Sequence, residues 1–214
     1  MTSRLAANSI VLVSLAITTA AATASTPTTE PEDKSAAAQY AQLHISMDPA
    51  AAAAGTYKVD PHHTSVVAKL AHMDLSRYTL RFDEVSGSFD FSPSTASASH
   101  LHIAINPASV DTGDAAFDKK IAAKFFETDK YPAVSFTADT VKIFNERASV
   151  VGTLDFHGVK RQVVLHTIYR GSTQSRMGFS GEATFKRSDF GVSAWVPLEA
   201  DDVTILVETE FVKQ

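Results

Sequence analysis

Eight histidines in 214 residues are the first candidates for chemistry, among them His62-His63, His72, His100, His102, His157 and His166. His100 and His102 leave the same face of an extended strand, as two ligands of one metal would. A metal site needs further ligands, and no carboxylate stands at metalloenzyme spacing from these histidines; the HExxH helix motif is absent too. No metal is therefore expected. A serine nucleophile is unsupported, because no G-x-S-x-G elbow is present. The chain has no cysteine, which removes thiolate catalysis and disulfides together. Glu182 and Asp189 are carboxylates without a spacing signature, and Asp201-Asp202 reads as a solvated turn that lacks the partners of a calcium site. G-x-G-x-x-G and P-loop patterns are absent. Neither a catalytic residue nor a cofactor is expected. The net charge of −5 argues against nucleic acid, which needs a clustered basic face.

The elements that would position any site are strands. Val66, Ala68, Leu70 and His72 share one face of an alternating segment, and alternation returns from Leu80 to Phe91 and over His100–Ile105, with a turn expected at Ser76 to Tyr78. Further strands are expected over 133–144, 148–156, 160–169, 176–186 and 203–212, with short hairpin turns at Asn145-Glu146-Arg147 and His157-Gly158. About eight strands at this spacing, without alternating helices, predict an all-β fold: an antiparallel eight-stranded barrel. One helix interrupts them. In the stretch 113–136, Phe117, Ile121 and Phe125 recur every four residues on one face, with Asp118, Lys119 and Lys120 assigned to the other. Thr112 or Asp114 caps its start and Pro132 bars its continuation. Such an apolar-faced helix in a long connection fits the open mouth of a curled sheet.

The chain begins with features of an export signal over residues 1–24: Arg4, an apolar stretch from Ile10 to Ala22, and Ala22-Thr23-Ala24 before Ser25. The apolar run is too short and too rich in Ala and Thr for a spanning helix, so the mature protein is expected in the periplasm, without an integral membrane span. Residues 25–55 are rich in Ala, Pro and Thr and read as a linker, with a short helix around 35–45. Residues 56–214 form the folded domain. Its phenylalanines admit two readings, a solid core or the lining of an apolar cavity.

Several motifs then fall in order. Tyr57-Lys58-Val59-Asp60-Pro61-His62-His63-Thr64 opens the domain, and His72 ends the next strand. Arg81-Phe82 is followed by Ser86-Gly87, then by Ser109-Val110-Asp111-Thr112, Asp118, Phe125-Phe126 and Tyr131-Pro132-Ala133-Val134-Ser135-Phe136. Gly152-Thr153-Leu154, His157-Gly158-Val159 and Arg187-Ser188-Asp189-Phe190-Gly191 complete the series. This order resembles the YceI family of exported, lipocalin-like proteins that bind polyisoprenoids. Three positions depart from the family's pattern: Phe117 stands where an Arg is usual, Lys120 where a His is frequent, and Leu80 where a Gly is usual.

The resemblance implies a lipocalin-like barrel enclosing an apolar tunnel, and a non-enzymatic binder of a polyisoprenoid lipid such as a prenylquinone (ubiquinone, for example) or a polyprenyl phosphate, for transport, storage or stress response. On that footing the wall is assigned to Val66, Ala68, Leu70, Phe82, Phe89, Phe136, Phe156 and Phe179, with Phe117, Phe125 and Phe126 closing one end. His72, His63, Thr64 and Asp189 are the candidates for the headgroup, and Arg187 is expected to pair with Asp189 or with backbone at a corner. Two other classes stay open: an enzyme acting on a bound prenyl lipid, and a solid-cored barrel serving as a protein-interaction module. The sequence leaves a homodimer open as well as a monomer.

Overall fold

The computed structural model describes residues 34–143 and 146–214. The expected export signal, the first part of the expected linker, and Asn145 of the expected hairpin turn lie outside the described residues. A short helix, α1 (Lys34–Gln42), overlaps the span expected for one, and its run of alanines has the highest helix propensity available. It belongs to a unit ending at Gln42; the second unit runs from Leu43 to Gln214.

That second unit is built on strand segments β1 (Gly55–Val59), β2 (Ser65–His72), β3 (Ser76–Phe82), β4 (Val85–Ser92), β5 (Ser97–Ile105), β6 (Val110–Asp111), β7 (Val134–Lys142), β8 (Arg147–Phe156), β9 (Val159–Ser172), β10 (Arg176–Lys186) and β11 (Asp202–Lys213). The first six are three long strands, each broken once. β1 and β2 pair with β4 and β3, which pair in turn with β5 and β6. β5 pairs with β7, and β7 to β11 follow one another, every pair antiparallel. β11 then returns to the first long strand, pairing Phe211 with Val59 and Ile205 with Ala68. The result is the closed, eight-stranded antiparallel barrel that the spacing predicts, and closure removes the sheet's edges.

The three breaks lie side by side, and the first and third share a chemistry. Asp60 and Asn106 each precede a proline that cannot donate to the ladder, and each side chain caps a 3-10 turn, Pro61–His63 and Pro107–Ser109. Between them, Asp83 and Glu84 separate β3 from β4, with Asp83 N–H donating to the Ser109 carbonyl at 3.1 Å. The β2–β3 turn sits at residues 73–75 rather than at Ser76 to Tyr78. Met73 and Asp74 adopt φ of +50° and +57° there, and the polar start of β3 resembled a turn only in composition.

Helix α2 (Ala115–Lys124) occupies the connection between β6 and β7. Asp114 caps it, accepting from the N–H groups of Ala116 and Phe117. Thr112 has a different role: its N–H and its hydroxyl both donate to the Asp118 carboxylate at 2.7 Å. Ile121 is buried, and Phe117, Phe125 and Phe126 pack with it against Val66, Ala68, Leu80, Phe82, Val110 and Val203. The helix therefore covers the part of the barrel formed by β2, β3, β6 and β11.

A second core is aromatic. Tyr57 stacks on Phe89 with centroids 5.4 Å apart, Phe89 meets Phe211 at 4.8 Å, and Phe179 contacts Phe89, Phe211 and Tyr169. Part of the expected linker joins this unit. Ser46 and Ser172 exchange backbone hydrogen bonds of 2.9 Å, Ala52 is buried, and the Tyr57 hydroxyl donates to the Ala53 carbonyl. Backbone pairing of small residues leaves no hydrophobic period in the sequence, so composition alone concealed it.

The bend at Asp60 is held by charge. Its carboxylate lies 2.6 Å from Arg176 Nη1 and 2.9 Å from His63 Nδ1. The guanidinium first, and then the imidazole, hold this carboxyl far below the usual carboxylate range. A depressed folded value stabilises the native state above the unfolded carboxyl's pKa of about 3.9, and that contribution is lost as pH falls below it. We expect Asp60→Asn to be less stable than the parent at neutral pH and to lose less of its stability between pH about 5 and 2.5. Thermal midpoints measured across that range check it; parallel acid limbs would show that the pairing contributes nothing.

Candidate functional site

The barrel encloses a cavity of about 530 Å³, within the roughly 300–1,000 Å³ typical of small-molecule sites. Strand period explains its lining. Val66, Ala68, Leu70 and His72 of β2 face it at every second position, and so do Val203, Ile205, Val207, Thr209 and Phe211 of β11. From Val203 to Phe211 is roughly 26 Å of strand, or about 20 Å along the axis at a tilt near 40°. A site of that length suits a linear chain. Phe117 and Ile121 of α2, with Phe125 and Phe126 just beyond its end, line it from the helix side.

The residues expected on the wall, Val66, Ala68, Leu70, Phe82, Phe89, Phe136, Phe156 and Phe179, all lie on this lining, as do Phe117, Phe125 and Phe126 expected at one end, and His72. The choice between a solid and a hollow barrel resolves by position. Tyr57, Tyr169 and Met177 are fully buried off the cavity, while Phe89, Phe179 and Phe211 belong both to that aromatic cluster and to the lining, so they form a floor. Elsewhere Phe82, Phe126, Phe156 and Phe190 contact one another in series, with centroids 5.6 to 5.9 Å apart, and the bore stays open beside them.

The headgroup candidates separate. Thr64 and His72 line the cavity at opposite ends of β2, too far apart to serve one group, and the Thr64 hydroxyl is already paired with Thr209 at 2.9 Å. His63 is off the cavity, turned to Asp60. Asp189 is also off it: in the 3-10 turn Arg187–Phe190, Arg187 and Phe190 turn inward and leave Asp189 exposed. Arg187 pairs with backbone rather than with Asp189. Its guanidinium donates to the carbonyls of Ala200, Val192, Ala194 and Glu199 at 2.8 to 3.1 Å, and burial lowers its pKa.

Those four bonds build the mouth. They fix residues 192–200, which add to the end of β2 through the bridge between His72 and Glu199. Trp195, held at φ +66°, lines the cavity and meets Phe125 edge-on at 5.0 Å. Lys120 does not lie on the far side of α2. Three residues after Phe117 it is only about 60° around the helix, and its ammonium sits 5.4 Å from the Phe117 ring and 4.9 Å from the Trp195 ring. The mouth also holds two polar groups that the sequence reading missed. The Glu199 Oε1 lies 3.6 Å from His72 Nε2, and its Oε2 is buried without a hydrogen-bond partner among the described residues. Tyr78 lines the cavity beside Phe117, its hydroxyl pKa raised by burial. Only their place in the fold marks these residues, since the stretch around Trp195 and Glu199 has no hydrophobic period.

A metal finds little here. Asp60, His63 and Glu210 form a ligand-like trio, but Arg176 Nη1 already donates to Asp60 and Glu210 at 2.6 and 2.8 Å, at the place a cation would take.

Comparison with known proteins matches this geometry. The YceI-like domain matches residues 57–211. A UPF0312 protein of Pseudomonas paraeruginosa is 30% identical over 68% of this chain and 79% of its own length. Protein YceI of Escherichia coli O157:H7 shows the same identity and coverage. Among solved structures, BcnA of Burkholderia cenocepacia has a TM-score of 0.64 at 24% identity, covering 71% of this chain and 98% of that one. A polyisoprenoid binding domain from Saccharophagus degradans has a TM-score of 0.61 at 18% identity, covering 74% and 98%. With the domain matched from Tyr57 of β1 to Phe211 of β11, and relatives aligned over two thirds of its length, this chain belongs to the YceI-like family.

Proposed function

We propose that the barrel binds a polyisoprenoid lipid without changing it chemically, the tail threaded into the bore and the headgroup left at the mouth beside His72, Tyr78 and Glu199. One observation carries this reading: an apolar bore about 20 Å long, by strand rise and tilt, whose inward residues on β2 and β11 are almost all hydrocarbon. An isoprenoid tail has no hydrogen-bonding groups and needs none along its length. Four C–C bonds advance roughly 5 Å per isoprene unit, so about four units fit inside. Burying them at about 0.8 kcal/mol per carbon gives more than 10 kcal/mol before ordering costs. The likeness in fold to a polyisoprenoid binding domain supports the same choice. The signal-like residues 1–24 support a periplasmic setting, and a prenylquinone or a polyprenyl phosphate suits the mouth.

The test is extraction. Protein purified from cells without detergent is extracted with chloroform and methanol, and the extract is analysed by mass spectrometry. A prenyl lipid near one per protein chain is the expected result. A lipid-free extract, combined with no uptake of added prenylquinone, overturns the reading, and turnover of the added quinone would favour an enzyme instead.

A further inference from the structure

The mouth of the bore carries a surface that ligand binding alone does not require. Met73 and Leu75, in the β2–β3 turn, and Trp195, Val196 and Leu198, in the adjoining loop, are large apolar side chains exposed to solvent. They form one rim. Met73 N–H donates to the Leu198 carbonyl at 2.8 Å, His72 bridges to Glu199, and Glu199 N–H closes back on the Trp195 carbonyl. Leu75 is 81% exposed, an unusual place for a leucine in a tight turn. Trp195 belongs to both surfaces, lining the bore and lying half in solvent, so apolar surface runs unbroken from the cavity to the outside.

From this continuity we propose that the rim seats the barrel, mouth down, on the surface of a lipid bilayer. The inference rests on the lipid-binding reading for its purpose, though not for its test. A polyisoprenoid tail has almost no solubility in water, so it must pass between bilayer and bore without crossing solvent, and an apolar rim inserted among headgroups provides that path. The residue types agree: an indole with aliphatic neighbours is the composition of interfacial anchors. Charge agrees as well. Lys120 sits 4.9 Å from the Trp195 ring and Arg77 follows the turn in β3, while Asp74 is the acid at the turn's tip, Glu199 faces inward, and Asp114 and Asp118 are engaged by the helix N-terminus and Thr112. An anionic lipid surface complements such an arrangement.

The experiment floats the exported protein, purified from cells as for the extraction, with vesicles of phosphatidylethanolamine and phosphatidylglycerol, against the double variant Leu75→Asp/Leu198→Asp. Neither leucine lines the bore. The parent protein should float with the vesicles and its single tryptophan, Trp195, should shift its emission to shorter wavelength; the variant should float roughly tenfold less. Uptake of prenylquinone from detergent micelles is measured in parallel and should be equal in both proteins. If uptake fails in both while flotation still depends on the rim, the lipid-binding reading falls and docking stands. Docking is overturned if the parent does not float, if the variant floats equally well, or if the parent sediments as a dimer that the substitutions convert to monomer, since a second copy would then cover the rim.

Discussion

Ala68→Trp should abolish retention of prenyl lipid while leaving the barrel folded. Ala68 is a buried, inward-facing residue of β2, with Leu80 and Ile205 at its two sides in the sheet. Ala68 lines the bore and also lies in the cluster under α2, so an indole there enters the bore at the cost of some repacking of Phe117, Ile121 and Phe126. Inserting a large side chain into close packing costs typically 1–3 kcal/mol, but here the void is already present and filling it offsets that cost. The thermal midpoint should therefore stay within about 5 °C of the parent, while the lipid signal after extraction falls to background. Phe136→Asp makes a useful contrast. Phe136 lines the bore with its ring laid on Gly152, so a carboxylate there should lose both the lipid and much of the stability. If Ala68→Trp kept lipid at the parental ratio, the tail would have to lie somewhere other than this bore.

What could be read from the sequence follows the period of the strands. β2 keeps strict alternation, so its inward face was legible as Val66, Ala68, Leu70 and His72. β11 alternates too, but Leu206 and Val212 on its outer side blur the period, and its inward Val203, Ile205, Val207, Thr209 and Phe211 were not assigned to the wall. β3 and β4 show where alternation misleads. Leu80 and Phe82 point inward at even positions, and Phe89 and Phe91 are buried at odd ones, so the break at Asp83 and Glu84 shifts the phase by one residue. A single alternating strand from Leu80 to Phe91 could not contain both sets. The helix face was legible, and the spacing of Lys120 from Phe117 already put it near that face; its partner Trp195 was not legible, because it lies on a loop more than seventy residues away in the chain. Tertiary hydrogen bonds position that loop, and they leave no period to read. The headgroup candidates His63 and Asp189 failed for the same reason: a 3-10 turn sets their direction, and the sequence gives only its approximate place.

Arg187→Leu should lower the thermal midpoint by about 10 °C and open the mouth, the largest stability loss we expect from one residue outside the aromatic core. Arg187 is buried and lines the cavity, and its guanidinium satisfies four carbonyls between Val192 and Ala200. Leucine fills part of the volume and leaves those acceptors without donors, at roughly 1 kcal/mol or more each, so about 3–5 kcal/mol in all. Trp195 would be the first residue to report it. Its positive φ is tolerated because Arg187 Nη1 holds the neighbouring Ala194 carbonyl at 2.8 Å and Glu199 N–H holds its own carbonyl at 2.9 Å. Without the first of these bonds the indole should leave Phe125 and Lys120, its emission should move to longer wavelength, and bound lipid should dissociate faster. Arg187→Lys separates charge from geometry. An ammonium keeps the positive charge but presents a single donor centre where a planar fork reaches four acceptors, so lysine should recover less than half of the lost stability. Full recovery by lysine, with the parental Trp195 spectrum, would mean that charge alone holds the loop.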